Sequence, residues 1–217
     1  MEFYNLPDKI KTLIFDIDGT LYTSKEYVAE QVDVQVRHWA DLNSISHDEG
    51  RRRIAEFRAK YEKENNGKKI SLGNTFLYFG VDIETSIAWR NKLLQPELYL
   101  KKNERLAETL RILKEKFNLI CLTNNPVDAA RKTLACVGID KLIPDIIGLD
   151  TCRKSKPAKD MLDLACEMTS SKYNQCISIG DRFDIDLALA LDLGMGGMLV
   201  NDADDLCDGI QVLLDHQ

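Results

Sequence analysis

The sequence predicts an α/β fold: a doubly wound parallel sheet with a small all-helical domain inserted into it. Three observations lead to this prediction. An apolar, strand-like run covers residues 12 to 18, a charged and helical pattern covers residues 24 to 94, and from about Lys101 onward helices alternate with short apolar strands. Such alternation indicates βαβ units, whose strands are parallel and covered by helices on both faces.

The composition is that of a globular protein without a membrane or nucleic-acid partner. The chain has 217 residues, of which 44% are apolar and 29% charged, and its formal charge is -6. An acidic balance disfavours binding to a phosphate backbone, and no apolar run approaches the ~18 residues of a membrane span. The first residues lack the pattern of a secretion signal, and the six cysteines form no C-x-x-C pair. We therefore expect a cytoplasmic protein with reduced thiols.

The first predicted strand of the sheet ends on two acidic residues. Residues 12 to 21 read TLIFDIDGTL, in which apolar residues surround Asp16 and a glycine follows Asp18. Carboxylates are rarely buried without a partner, so two of them at the end of a buried strand need an explanation. A simple Asp-Gly turn is one explanation. A site for a metal ion and a phosphate, in which one aspartate is the nucleophile, is the other.

The region from residue 24 to 94 is predicted to be a separate helical domain, and residues 1–23 and 95–217 are predicted to form the sheet domain. Ser46 and Glu49 have the spacing of a capping box, which places a helix start there. An insertion of about 70 residues is far longer than an ordinary connection within one domain. The expected helices cover residues 25–41, the stretch that follows Ser46, 72–79 and 84–94.

The second half of the chain supplies the remaining strands and their covering helices. Asn125 followed by Pro126 is typical of a helix start, with Asn125 as the N-cap. The predicted strands cover residues 118–123, 145–149, 176–180 and 198–201. The predicted helices cover residues 103–116, 125–138, 157–168 and 185–193.

Polar side chains follow several of these strands. Thr123 and Asn124 end the strand after the insertion, Asp181 and Asp186 follow a later strand, and Lys156 precedes a helix. Each has an ordinary explanation when taken alone: a strand-end hydroxyl, a helix cap, a turn or a surface lysine. Ligands of open parallel sheets bind beyond the carboxyl ends of the strands. Residues of these types at successive strand ends therefore favour a single site.

In these motifs the chain resembles the phosphatase branch of the haloacid dehalogenase superfamily, which has a Rossmann-like core. DIDGT at residues 16–20 is similar to the first family motif, DxDGT, and Thr123 is similar to the second. Lys156 followed by Pro157 is similar to the third, and GDRFDID at residues 180–186 to the fourth. The helical insertion lies where the family carries a cap, between the first and second motifs.

The resemblance implies a role for each motif residue. Asp16 would be the nucleophile that forms an aspartyl-phosphate, and Asp18 would be the general acid and base. The phosphate-binding groups would be Thr123, Asn124, Lys156 and the backbone at Gly19. The ligands of Mg²⁺ would be Asp16, Asp18 through its backbone carbonyl, Asp181 and, directly or through water, Asp186. An all-oxygen set of this kind suits Mg²⁺.

These residues predict an Mg²⁺-dependent phosphatase that acts on a small phosphorylated metabolite. A phosphomutase with the same chemistry is one alternative, and GNTFLYFGV at residues 73–81 is faintly similar to the pyrimidine nucleotidase subgroup. From a different class, a receiver-like phosphoacceptor also gathers acids, a threonine and a lysine at strand ends, and a non-catalytic relative would only bind its ligand. A receiver has no use for a second acid such as Asp18, and a non-catalytic relative would not be expected to keep every motif; both points favour the phosphatase.

Overall fold

The structure is a computed structural model that describes residues 1–67 and 69–216. The chain divides into two compact units. The sheet unit comprises Met1–Lys25 and Pro96–Gln217, and the helical unit comprises Glu26–Gln95. Each unit has its own cluster of buried apolar side chains.

Every regular element among the described residues of the helical unit is a helix. The four helices are α1 (Lys25–Leu42), α2 (His47–Glu64), α3 (Leu72–Tyr78) and α4 (Ile83–Leu93), of which α1 begins on the last residue of the sheet unit. The Oγ of Ser46 accepts a hydrogen bond from the backbone N–H of Glu49 at 3.2 Å, which confirms the predicted start of α2. The core of the unit consists of Val36, Trp39, Ile54, Leu72, Phe76, Val81 and Trp89.

The sheet unit is built on one six-stranded sheet. Its strands are β1 (Glu2–Tyr4), β2 (Thr12–Phe15), β3 (Asn118–Leu122), β4 (Asp145–Ile147), β5 (Cys176–Gly180) and β6 (Gly196–Leu199). Their order is β1-β6-β5-β2-β3-β4, and only β1 and β6 pair in antiparallel fashion. In the central strand, Phe15 pairs with Cys121 on β3 and with Ile179 on β5. The carboxyl ends of these three strands therefore lie side by side.

Helices cover the sheet, as an α/β fold requires. They are α5 (Glu104–Lys114), α6 (Val127–Val137), α7 (Leu149–Cys152), α8 (Lys159–Met168), α9 (Ala188–Asp192) and α10 (Ala203–Leu214). A π-helical turn, Phe183–Leu187, leads into α9. One apolar cluster joins Ile14, Ile120 and Ile147 of the sheet to Met161 and Leu162 of α8. The predicted fold, a doubly wound and mostly parallel sheet with inserted helices, is confirmed.

Several predicted boundaries differ from the structure. Strand β1 was not predicted, because three residues are too few to show a periodic pattern. Strand β4 ends at Ile147, two residues early, where the backbone turns into α7, and β6 begins two residues earlier than predicted. Asn125 is not the N-cap of α6; Pro126 holds that position. Oδ1 of Asp150 accepts from the N–H of Val127 at 3.0 Å and so replaces a cap side chain.

All six cysteines are free thiols, and four of them are buried. Among the described residues, no helix has the length and apolarity that crossing a bilayer requires.

Candidate active site

Asp16 lies at the carboxyl end of the central strand. Its backbone N–H donates to the carbonyl oxygen of Ile179 on β5 at 2.8 Å, so strand pairing extends one residue beyond β2. The residue is only 3% exposed. Because β3 and β5 flank this strand on both sides, hydrogen-bonded pairing within the sheet fixes the backbone of Asp16.

The turn after Asp16 brings Gly19 against Asp181. The turn is closed by a hydrogen bond of 3.0 Å from the N–H of Leu21 to the carbonyl oxygen of Ile17. Gly19 has a φ of +90°, and a Cβ added there would lie 2.6 Å from Oδ2 of Asp181. Any side chain at position 19 is therefore excluded, both by the backbone conformation and by the close approach of the carboxylate.

Lys156 joins two carboxylates that come from different parts of the chain: Asp16 follows β2, and Asp186 lies in the π-helical turn after β5. Its Nζ donates to Oδ1 of Asp16 and, at 2.7 Å, to Oδ1 of Asp186. Its backbone N–H donates to Oδ1 of Asn124 at 2.6 Å, and its peptide bond to Pro157 is cis. The side chain of Asn124 thus attaches the lysine-bearing loop to the end of β3, and Lys156 reaches the site as a buried cation.

The carboxylate of Asp186 is held by the π-helical turn. The N–H of Arg182 donates to its Oδ2 at 3.1 Å, and its backbone carbonyl accepts from Oγ of Ser178 at 2.7 Å. A Cβ added at Gly180 would lie 2.4 Å from the Cβ of Asp186. The glycine at the end of β5 is therefore what permits Asp186 to pack against the strand.

Three carboxylates form a cluster that fits a divalent cation. One oxygen from each of Asp16, Asp181 and Asp186 can be chosen so that all three lie within 4.8 Å of one another. Oδ2 of Asp16 and Oδ1 of Asp181 are buried and have no hydrogen-bond partner among the described residues. The nearest cation to that Asp181 oxygen is Nε of Arg182 at 3.7 Å. Buried carboxylate oxygens without donors are the groups that a hard cation such as Mg²⁺ would satisfy.

The Asp18 carboxylate stands outside this cluster. Its Oδ1 accepts from the hydroxyl of Tyr22, and its Oδ2 accepts from Nδ2 of Asn125 at 3.0 Å. The side chain is thus bound on both oxygens by groups of the sheet unit. The sequence predicted only the backbone carbonyl of Asp18 as a metal ligand, and that stays a prediction.

Thr123 is fully buried at the end of β3. Its N–H donates to the carbonyl oxygen of Ile147 at 3.0 Å, and its Oγ1 accepts from the N–H of Asn125 at 3.1 Å. Every residue predicted for the site belongs to the sheet unit. Lys156 binds Asp16 and Asp186 directly, and Asp181 lies in the same carboxylate cluster. Their roles in binding phosphate or metal stay predictions.

A family comparison agrees with this geometry. The profile of the haloacid dehalogenase-like hydrolases matches residues 10–194, a range that contains every residue of the site. The chain belongs to this family.

Of the curated relatives, pyrophosphatase PpaX of Listeria welshimeri is 24% identical over 183 residues, which is 81% of this chain and 76% of that protein. A phosphoglycolate phosphatase of Colwellia psychrerythraea is 29% identical over 197 residues, which is 87% of this chain and 84% of that protein.

A solved structure gives the same fold. This hydrolase resembles the crystal structure of a phosphatase of the same superfamily from Thermococcus onnurineus with a TM-score of 0.58 and 21% identity, over 88% of this chain and 86% of that one. Together with the curated relatives, the family match identifies the chain as a haloacid dehalogenase-like phosphatase. The family match favours the phosphatase over a receiver-like phosphoacceptor.

Burial dominates the electrostatics of the acidic cluster in this hydrolase. It raises the pKa of Asp16 to about 7 against the attraction of Lys156, and the charges of Asp186 and Asp18 raise that pKa further. Burial acts to lower the pKa of Lys156, but the two carboxylates that it contacts outweigh burial and raise it. Burial also raises the pKa of Asp181. Lys156 and the half-exposed Arg182 do not balance the charges of Asp16, Asp18, Asp181 and Asp186, and a bound cation would relieve the excess.

We expect the free energy of unfolding of the metal-free hydrolase to fall as the pH rises from about 4 to about 7. Native Asp16 keeps its proton up to about pH 7, whereas an unfolded aspartate releases it near pH 3.9. A carboxyl group whose pKa is higher in the folded protein than in the unfolded chain stabilises the fold fully at pH values below its pKa in the unfolded chain. This stabilisation is lost as the pH rises through its pKa in the folded protein. Urea unfolding in EDTA at about pH 5.5 and about pH 8 measures the difference.

The matched comparison for this prediction is Asp16→Asn, in which the fall in stability between the two pH values should be smaller. Carboxylates on the surface are ionised in both states across this window, so they add little to it. An equal fall in both proteins would contradict the assignment of the raised pKa to Asp16.

Sequence reasoning missed three residues of the site. Tyr22 and Asn125 bind Asp18, and Nε of Arg182 lies 3.7 Å from Oδ1 of Asp181 and 4.0 Å from Oδ2 of Asp186. Arg182 could have been noticed, because it lies between two motif aspartates. Asn125 was interpreted as a helix cap, and only the tertiary fold brings it to Asp18.

Proposed function

We propose that this enzyme is an Mg²⁺-dependent phosphatase of small phosphorylated metabolites, and that it works through a phosphoryl group carried on Asp16. The observation on which the proposal depends is the surroundings of the Asp16 carboxylate. One of its oxygens is bound by Lys156. The other is buried beside Asp181 and Asp186, and no donor reaches it within residues 1–67 and 69–216. Such a carboxylate is fixed, desolvated and next to positive charge, as a nucleophile for a phosphate needs.

In the first step, an Asp16 oxygen attacks phosphorus and the bond from phosphorus to the leaving oxygen breaks. Asp18 gives its proton to that oxygen, so that the product leaves as an alcohol. Lys156, the hydroxyl of Thr123 and the backbone amides of the turn at Gly19 would hold the phosphoryl oxygens. A bound Mg²⁺, held by Asp16, Asp181, Asp186 and the carbonyl of Asp18, would neutralise charge on the phosphoryl oxygens.

In the second step, water attacks the phosphorus of the aspartyl-phosphate. Asp18, now a carboxylate, takes a proton from this water, and the bond between phosphorus and the Asp16 oxygen breaks. Inorganic phosphate leaves, and both aspartates return to their starting protonation states. The same carboxyl group thus acts first as an acid and then as a base.

The helical unit would be the cap of the enzyme, as predicted for residues 24–94. The relatives named above act, by their names, on pyrophosphate and on phosphoglycolate. Both are small phosphorylated compounds, and this supports a substrate of that size. Six free thiols support a reducing compartment and hence the cytoplasm.

Release of inorganic phosphate from a panel of compounds tests the proposal. The panel holds pyrophosphate, phosphoglycolate, nucleoside monophosphates, sugar phosphates and 4-nitrophenyl phosphate, each with Mg²⁺ or with EDTA. We expect repeated turnover of at least one compound with Mg²⁺. Removal of the metal should slow it on the order of 10²-fold or more, because several kcal/mol of charge stabilisation are lost.

Three outcomes would count against this function. Turnover that is unaffected by EDTA would remove the metal from the mechanism. A single turnover without release would indicate a phosphoacceptor. Isomerisation of a sugar monophosphate, in the presence of its bisphosphate and without phosphate release, would indicate a mutase.

A further inference from the structure

The Asp18 carboxylate is bound from two sides by Tyr22 and Asn125, which the proposed mechanism does not use. An isolated β-bridge pairs Asp18 with Tyr22 across the turn after β2, and the hydroxyl of Tyr22 donates to Oδ1. From the loop that follows β3, Nδ2 of Asn125 donates to Oδ2 at 3.0 Å. The carboxylate plane is therefore defined by one donor on each oxygen.

The backbone of Asn125 is itself held at two points. Its N–H donates to Oγ1 of Thr123 at 3.1 Å, and its carbonyl oxygen accepts from the N–H of Leu149 at 3.0 Å. These bonds join it to the end of β3 and to the start of α7. A donor on such a rigid support fixes its acceptor more closely than a donor on a mobile loop does.

The two adjacent asparagines have different partners. Asn124 accepts from the backbone of Lys156, whereas Asn125 donates to Asp18. Asn125 is also not needed as a helix cap, because Asp150 satisfies the N–H of Val127 at the start of α6. Its carboxamide is thus directed at the acid, and local helix structure does not account for it.

We propose that Tyr22 and Asn125 are positioning residues that orient the Asp18 carboxyl group toward the leaving oxygen of the substrate. The inference rests on the proposed function, because it assumes that Asp18 protonates that oxygen. A general acid works only within hydrogen-bond reach of its target, and small displacements cost rate. Loss of either donor should therefore weaken proton donation and leave attack by Asp16 unchanged.

The leaving group distinguishes positioning from general support of the fold. Phenolate is a strong base and needs a proton to leave, whereas 4-nitrophenolate leaves readily without one. We expect Tyr22→Phe and Asn125→Ala to lower kcat/KM for phenyl phosphate about tenfold more than for 4-nitrophenyl phosphate, since general acid catalysis contributes about 10² to 10⁴-fold. Asp18→Asn, which removes the acid itself, should lower kcat/KM for phenyl phosphate relative to 4-nitrophenyl phosphate by the largest factor of all these variants.

Matched controls come from two surface pairs of the same kinds. Tyr4 donates to Glu2, and Nδ2 of Asn201 donates to Asp205 at 2.7 Å. Tyr4→Phe and Asn201→Ala should therefore leave the ratio of the two kcat/KM values unchanged. In the Asp18→Asn background, Tyr22→Phe should have almost no further effect on that ratio, because residues that act through one group are not additive.

The results separate the inference from the function on which it rests. If wild-type protein turns over both esters and depends on Asp16, but Tyr22→Phe and Asn125→Ala lower both kcat/KM values equally, the positioning role is wrong and the phosphatase stands. If wild-type protein turns over neither ester nor any compound of the panel, the proposed function fails and the inference fails with it. A further change of the ratio in the Asp18→Asn background would also overturn positioning through Asp18.

Discussion

Asp16→Asn is expected to abolish turnover, with kcat reduced on the order of 10⁴ to 10⁶-fold, the range found when an enzyme loses its nucleophile. Asparagine has the shape of aspartate but cannot form the acyl phosphate, so no covalent intermediate should accumulate. Steady-state release of phosphate measures the loss. Mass spectrometry of acid-quenched enzyme should show one added phosphoryl group in the wild type and none in the variant.

The variant should still be folded, because Lys156 keeps its bond of 2.7 Å to Asp186. Asp163→Asn is the matched control, because Asp163 also binds a lysine, Lys159, at 2.8 Å, but on the surface. That control should retain full activity. Undiminished turnover by Asp16→Asn would mean that the nucleophile has been assigned to the wrong residue.

Lys156→Met is expected to have the largest effect on stability. The substitution leaves Asp16 and Asp186 buried with no cation in hydrogen-bond contact, and removing one partner of a buried ion pair typically costs about 3 to 5 kcal/mol. Activity should fall as well, because the cation beside Asp16, the proposed nucleophile, is lost. Urea unfolding at about pH 8 in EDTA gives the free energy. The cost should be smaller at about pH 5.5, where Asp16, whose pKa is raised by burial, can take up a proton.

Lys159→Met provides the comparison for this variant. Lys159 pairs with Asp163 where both side chains are about half exposed, and such a pair typically contributes about 0 to 1 kcal/mol. Mg²⁺ should restore part of the stability that Lys156→Met loses, by replacing one cation with another. If both lysine substitutions lowered the free energy of unfolding equally, and Mg²⁺ restored none of it, Lys156 would not be the cation that neutralises Asp16 and Asp186.

Much of the sheet unit could be predicted because its strands are buried and its loops carry motif residues. Asp16 and Lys156 are 140 positions apart, yet the order of strand ends together with the resemblance to the family motifs was enough to place them together. The start of α2 followed from Ser46, since a capping hydrogen bond depends only on nearby residues. These predictions rest on local chemistry or on the general geometry of parallel sheets.

The remainder depended on contacts that the sequence does not display. Strand β1 exists because β6 offers an unpaired edge, and nothing in its three residues indicates this. Asn125 has the right chemistry for a helix cap, but Asp150 accepts from the N–H of Val127 in its place. The carboxamide of Asn125 binds Asp18 instead, a contact between residues 107 positions apart that the sequence does not show. The π-helical turn at Phe183–Leu187 likewise has no sequence pattern that separates it from an ordinary helix start.

Gly180 limits how the acidic cluster can be redesigned. A methyl group there would need the space that the Cβ of Asp186 already fills. Mutational libraries that test the proposed metal site should therefore leave position 180 as glycine and vary Asp181 and Asp186 instead. Gly180 has no side chain of its own, yet its small size determines which residues fit at position 186.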